Sequence, residues 1–230
     1  MLAVLLVCAV VAFGLVACQS KARPRENPSE NAPVVLFFGN SITSGPGLDP
    51  GQAFPALIQE RINREGLDYR CVNAGVGGQT TTGALGHLDQ ALARRPAVVV
   101  VELGINDAFR SMGRARTARN LKRIIEAFAG SGSRVILAAV LLEHIHPALG
   151  PPLGEVYRAV AEKTGALLVP DLMAGVAGVR LLSLADGLHP NAQGHKILAA
   201  SLWPVLEKEL QALRLDSSTS TAGKRYMVEK

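Results

Sequence analysis

Apolar and polar positions follow two rhythms along this chain. Mainly apolar runs occur at 34–38 (Val-Val-Leu-Phe-Phe), 97–103 and 134–140, with shorter and more mixed ones at 69–73 and 166–169. Runs of this length, set between Gly, Pro, Asn and Asp, predict strands, and the unbroken Val and Ile stretches predict strands covered on both faces. Between them apolar residues recur every three or four positions. Phe54, Leu57, Ile58 and Ile62 fall on one face of a helix over 53–65, and Leu121, Ile124, Ile125 and Phe128 on one face of a helix over 117–129. Further helices are predicted over 81–93, 154–164 and 191–213. Strand and helix alternating in this way predict a three-layer α/β/α sandwich around a five-stranded parallel sheet. In such sheets ligands bind beyond the carboxyl ends of the strands, so chemistry is to be sought in the loops that follow each strand.

Both ends of the chain break the alternation. Residues 1–17 are apolar and uncharged; as a helix up to Cys18 they would reach only about 27 Å, short of a hydrocarbon core of about 30 Å. This is the pattern of a signal sequence. Its end, Leu-Val-Ala-Cys (15–18), resembles the lipobox of bacterial lipoproteins, which implies lipidation of Cys18 and a bacterial cell envelope location facing the periplasm. No basic residue precedes the apolar run, a departure that leaves an uncleaved membrane anchor or ordinary secretion open. Residues 18–32 are polar and broken by proline, as expected of a tether. A single domain is expected over 33–213, and the Ser/Thr-rich residues 214–230 are expected to form a flexible tail.

Length and composition narrow the function. The chain has 230 residues, enough for one α/β domain with a full core. The formal charge is +5, and residues 18–32 and 216–230 each contribute one positive charge, which leaves +3 on the body. That mild balance, with a single Trp and 4% aromatic residues, does not describe a nucleic-acid binder. Of the three cysteines, Cys8 and Cys18 lie in the leader, so Cys71 has no partner for a disulfide and is expected to be a buried structural residue. Oligomeric state is not legible.

Four clusters carry candidate chemistry: Gly-Asn-Ser-Ile-Thr (39–43), Asn-Ala-Gly-Val-Gly-Gly-Gln-Thr-Thr (73–81), Glu-Leu-Gly-Ile-Asn-Asp-Ala-Phe (102–109) and Asp-Gly-Leu-His-Pro-Asn (186–191). Ser41 follows a buried strand directly. A serine hydroxyl becomes a nucleophile only when a base takes its proton and an acceptor holds that base in one tautomer. His189 and Asp186 can fill these roles. Acyl transfer also needs donors aimed at the developing oxyanion, and the backbone N–H of Gly78 and the amide of Asn106 are candidates. The glycines at 75–78 do not make a dinucleotide loop, since the pattern requires glycine where Thr80 stands, and no phosphate-binding Gly-Lys-Ser/Thr occurs. No cofactor is expected. Glu143, His144 and His146 lack a third well-placed zinc ligand, so no metal is expected and their loop is read as a pocket wall. His195 is read as a helix residue, His87 as helix surface, and the basic run from Arg110 to Arg123 as a solvated helix face or a weak contact with anionic lipid.

Taken together, the four blocks resemble the SGNH, or GDSL-type, hydrolases over about residues 34–210, in particular a branch of bacterial arylesterases, lysophospholipases and thioesterases. The resemblance implies a flavodoxin-like fold and a serine esterase acting on small or single-chain acyl esters. It implies Ser41 as nucleophile, Asp186 and His189 as its partners, and an oxyanion hole of the Ser41 N–H, Gly78 N–H and Asn106 amide. The alternatives are a carbohydrate O-deacetylase of the same family and a non-catalytic lipoprotein binding module. Two positions depart from the family: Asn40 stands where an aspartate is usual, and Gln79 where many relatives carry an acid. The expected consequence is a less acidic site mouth, with the serine turn preserved because Asn and Asp cap helices about equally well.

Overall fold

The computed structural model describes residues 24–141 and 153–228, with side chains through Asp216. The strands are β1 (Val34–Gly39), β2 (Arg70–Asn73), β3 (Val98–Glu102), β4 (Arg134–Ala138) and β5 (Leu167–Val169). The helices are α1 (Ser41–Ser44), α2 (Phe54–Arg64), α3 (Thr81–Leu85), α4 (Leu88–Leu92), α5 (Ile105–Phe109), α6 (Arg114–Gly130), α7 (Gly154–Thr164) and α8 (Ala192–Val228). All strand pairs are parallel and the order is β2-β1-β3-β4-β5, the flavodoxin-like arrangement.

The apolar run of β1 is continuous because each face of the sheet has its own core. Val35 and Phe37 point to one side, against Phe54, Ile58 and Ile62 of α2 and Leu198, Leu202 and Leu206 of α8. Leu36 and Phe38 point to the other, against Leu121, Ile124 and Phe128 of α6 and Tyr157 of α7. An edge-on aromatic pair marks each layer: Phe37 with Phe54 and Phe38 with Phe128, both with ring centroids 5.5 Å apart. Each of these buried rings contributes about 1.5–3 kcal/mol through removal from water.

Three expectations need correction. The helix expected over 81–93 is two short helices, because Gly83 and Gly86 weaken the helical turn between them and the chain breaks at Gly86 and His87. The helix expected to end at 213 continues as helical backbone to Val228, since no proline follows Pro204 to stop it and Ser and Thr are only modestly worse helix formers than Ala. The described part of the expected tether lies on the domain. Ser29 donates through both N–H and Oγ to Asp68, Arg25 pairs with Asp68 at 3.5 Å, and the Arg25 N–H meets the Asn63 carbonyl. Residues 1–23, with Cys18, and the loop of Glu143, His144 and His146 lie outside the described residues.

The first turn of α8 carries His195 wholly inside, where Nδ1 accepts the Phe54 N–H at 3.0 Å and the ring stacks on Phe54. Nε2 then bears the proton, and it has no partner among the described residues. Burial, reinforced by the nearby His189, pushes the imidazole down to about 4. The unfolded chain takes up this proton near pH 6.5, so between about 6.5 and 4 the unfolded state binds more protons and stability falls as pH drops. The expected loss is on the order of 3 kcal/mol. Urea unfolding at pH 7 and pH 4.5 should therefore show a smaller drop in His195→Gln than in the parent, with the other titrating groups cancelling in the difference.

Candidate active site

Asn40 is the hinge between sheet and site. Its Oδ1 caps α1 by accepting the Ile42 N–H at 2.9 Å, which makes Ser41 the first helical residue after β1. The helix lasts one turn and ends at Gly45, whose φ of 70° is open to glycine at little cost. The loop after β2 lies directly against this turn: a Cβ on Gly75 would stand 2.4 Å from the Ser44 nitrogen. Asn73 ties the two loops by donating to the Thr43 carbonyl at 2.9 Å.

The loop after β2 continues through Gly78 (φ 69°) to α3, and α5 holds it from beneath. Asn106 donates through Nδ2 to the Gln79 carbonyl at 3.0 Å, and Arg110 donates to the Gly78 carbonyl at 3.1 Å. An amide nitrogen has two hydrogens, so the second Asn106 N–H remains for a ligand. Buried Asp107 fixes the next turn by accepting the Thr81 N–H at 2.8 Å and the Thr81 hydroxyl. Gly104, with φ 118° and no room for a Cβ beside the Tyr157 hydroxyl, lets α5 start there.

The loop before α8 is folded back on itself. Ser183 bridges Pro190, the Leu184 N–H meets the His189 carbonyl at 2.8 Å, and Asn191 caps α8 by accepting the Gln193 and Gly194 N–H groups. Asp186 Oδ1 accepts the Leu188 and His189 N–H groups, while Oδ2 lies 2.6 Å from His189 Nδ1. The hydrogen bond from the His189 ring, aided by those two backbone donors, holds the Asp186 carboxyl down at about 2. A carboxylate charged at neutral pH fixes the proton of His189 on Nδ1. Nε2 is then an acceptor, and it lies 2.9 Å from Ser41 Oγ.

Ser41, Gly78, Asn106 and His189 line a cavity of about 330 Å³, with Asp186 directly behind His189. Ile42, Pro46, Ile105, Phe109 and Leu188 supply an apolar wall. A serine, an oriented imidazole and an amide N–H left over on Asn106, beside an apolar wall, are the groups that attack on an ester carbonyl calls for. Among the described residues no group of three His, Cys, Asp or Glu side chains is placed to hold a metal ion. Cys71, expected to be buried, is partly buried against one core, and that burial raises its thiol well above the usual range. Gln79 is buried and does not shape the site mouth.

Residues 37–197 match the GDSL-like lipase/acylhydrolase family. The chain belongs to that family. It is 39% identical over 181 residues to Esterase TesA of Pseudomonas aeruginosa, covering 76% of this chain and 89% of that one. It is 26% identical over 184 residues to the Thioesterase 1/protease 1/lysophospholipase L1 of Escherichia coli strain K12, covering 79% of this chain and 85% of that one. A crystal structure of TesA superimposes with a TM-score of 0.73 at 38% identity, covering 76% of this chain and 99% of that one. The GDSL-family chain is thus a hydrolase acting on ester bonds, with the five-stranded sheet of SGNH hydrolases.

Two residues that shape this GDSL-family site were missed in the sequence. Asp107 anchors the loop that follows β2, and Glu102, wholly buried, lies under the serine turn. Glu102 is the acid that closes the otherwise apolar strand β3, and Asp107 lies five residues further on, in α5. That placement was the available signal, since a carboxylate there must be buried against donors.

Proposed function

We propose that this chain is a serine esterase that cleaves small or single-chain acyl esters through an acyl-enzyme on Ser41. The observation that carries the reading is the unbroken relay from Ser41 Oγ to His189 Nε2 at 2.9 Å and from His189 Nδ1 to Asp186 at 2.6 Å. In the first step His189 Nε2 takes the proton of Ser41 Oγ as that oxygen bonds to the ester carbonyl carbon. The electron pair displaced onto the carbonyl oxygen meets the N–H groups of Ser41 and Gly78 and the free N–H of Asn106. The carbonyl then reforms, the bond to the leaving oxygen breaks, and His189 returns the proton to that oxygen. Water repeats the sequence on the acyl-enzyme. Charged Asp186 stabilises the imidazolium that forms twice in each cycle.

The apolar wall of Ile42, Pro46, Ile105, Phe109 and Leu188 supports an alkyl or aryl group at the site over the polar ring of a sugar. Its relatives' names, esterase and lysophospholipase, support the same substrate class. Among the described residues no helix is long and apolar enough to cross a membrane. We assign attachment to the membrane to the leader, with lipid on Cys18 and the domain held in the bacterial envelope, because Leu-Val-Ala-Cys closes an uncharged apolar run.

Two experiments test these assignments. A fluorophosphonate probe should label the parent on Ser41, and Ser41→Ala should abolish labelling and lower kcat by roughly 10⁶; labelling that survives in the variant contradicts the assignment. Cys18→Ala should shift the protein from the membrane fraction to the soluble fraction or block its maturation. A variant that is retained and processed like the parent contradicts lipid attachment.

A further inference from the structure

The active-site cavity and the N-terminal segment lie at opposite ends of the sheet. Ser41, Gly78 and Asn106 follow the carboxyl ends of β1, β2 and β3, where His189 meets them. Residues 25–32 are held at the amino end. The Arg25 N–H donates to the Asn63 carbonyl at 2.8 Å, and Asn63 Nδ2 donates to the Glu26 carbonyl at 2.9 Å. Asp68 accepts the Ser29 N–H at 2.8 Å and the Ser29 hydroxyl at 2.7 Å, and it pairs with Arg25 at 3.5 Å. Asn63 lies in the last turn of α2 and Asp68 just before β2, whose first residue, Arg70, stands opposite Val34, the first of β1. Gln59 braces this end, donating to Asn63 Oδ1 and the Tyr69 carbonyl while accepting the Cys71 N–H.

Chain length turns this placement into an orientation. The strand β1 rises about 20 Å over its six residues, so Ser41 stands that far above the docked segment and the rim of the cavity stands higher. Six residues, 19–24, separate Cys18 from Arg25, a reach of at most about 25 Å. The limit is the same for a lipid on Cys18 and for an uncleaved apolar leader. With the amino end of the sheet toward the bilayer, that length is slack. With the cavity toward it, the link would have to run fully extended up the side of the domain and past the level of Ser41, losing its conformational freedom on the way.

We propose that residues 25–32 are a strap that sets the domain foot-first on the bilayer of its own anchor, so that the active site opens away from that bilayer and takes acyl esters from the aqueous layer or from a facing surface. This narrows the substrate of the esterase: lipids seated in the anchoring leaflet are out of reach. A single acyl chain holds a molecule on a bilayer only weakly and reversibly. Single-chain esters therefore reach such a site through water, and two-chain lipids of the same leaflet do not.

The test uses the full lipidated chain reconstituted on vesicles, and it rests on the membrane attachment proposed above. The probe is a fluorogenic butyryl ester tied by a short polar spacer to a dialkyl-ether phospholipid, which stays in its bilayer and carries no other carboxylic ester. With protein and probe on the same vesicles, the parent is expected to be roughly tenfold or more slower than a variant with about 20 Gly/Ser residues inserted after Lys21, because a link that cannot span two sites gives almost no effective concentration. The double variant Asn63→Ala, Asp68→Ala, which frees the strap, should gain in the same direction. All three should hydrolyse the same ester free in solution within about twofold of one another, which separates reach from chemistry. A second measurement does not depend on those variants. A donor dye on Ala93→Cys, exposed between α4 and β3 at the foot, should transfer to an acceptor lipid at least about twice as efficiently as one on Leu181→Cys, exposed beside the 183–190 loop, both in a Cys71→Ala background. A parent as fast as the linker variant on the same-vesicle probe, no gain on freeing the strap, or a Leu181 dye nearer the bilayer than the Ala93 dye overturns the proposal. A parent that does not float with the vesicles would instead overturn membrane attachment, and one that leaves the free ester intact would overturn the esterase reading.

Discussion

The hydrogen bond between Ser41 Oγ and His189 Nε2 joins residues 148 positions apart, and the sheet register makes it possible. Gly39 of β1 pairs with Glu102 of β3, and Phe37 with Asn73 of β2, so three neighbouring strands end at nearly one level. Their loops therefore emerge side by side, where the order β2-β1-β3 places the serine turn between the two loops that carry Gly78 and Asn106. The fourth contribution comes from the far end of the chain, where packing of α8 against α2 brings the 183–190 loop over Ser41. A one-residue slip of a strand in this sheet would send every side chain from one packed core into the other, so the packing that stabilises the fold also fixes the geometry of the site.

Local hydrogen bonds then remove the freedom that loops usually keep. The loop after β2 has two consecutive carbonyls, of Gly78 and Gln79, each held by a side chain of α5 or the residue that ends it, and Asp107 holds the following turn. Donors fixed before substrate arrives need no reorganisation when charge develops, which is where most of the rate advantage of such sites arises. His189 is held in the same way, with its tautomer set by Asp186 and its loop closed by the Ser183–Pro190 bridge.

Much of this was legible in the sequence, for physical reasons. Strands buried on both faces leave uninterrupted Val and Phe runs, and each expected strand lies within two residues of its observed limits. That Ser41, Gly78, Asn106 and His189, with Asp186 behind it, gather at one cavity was legible because each follows a strand or precedes a helix within a short block of turn residues. What was not legible depends on pairs distant in sequence. Nothing local to Asn40 shows that its amide meets Glu102, 62 positions away, nor does Arg110 announce its contact with the Gly78 carbonyl. The short helices α1 and α5 were missed because a four- or five-residue helix has no periodicity to detect. The folding of residues 25–32 onto the domain was missed because polar contacts with Asp68 and Asn63 leave a composition indistinguishable from that of a tether.

The central claim is that the strand ends hold an oxyanion site ready around Ser41. Its most direct test is a crystal structure of the protein after reaction with a fluorophosphonate, whose tetrahedral phosphorus stands in for the attacked carbonyl carbon. The account predicts phosphorus bonded to Ser41 Oγ and a phosphonyl oxygen about 2.7–3.2 Å from the Ser41 nitrogen, the Gly78 nitrogen and Asn106 Nδ2, with Asn106 still bonded to the Gln79 carbonyl. A phosphonyl oxygen turned out to solvent, or reached only after the 77–79 loop has rearranged, would contradict it.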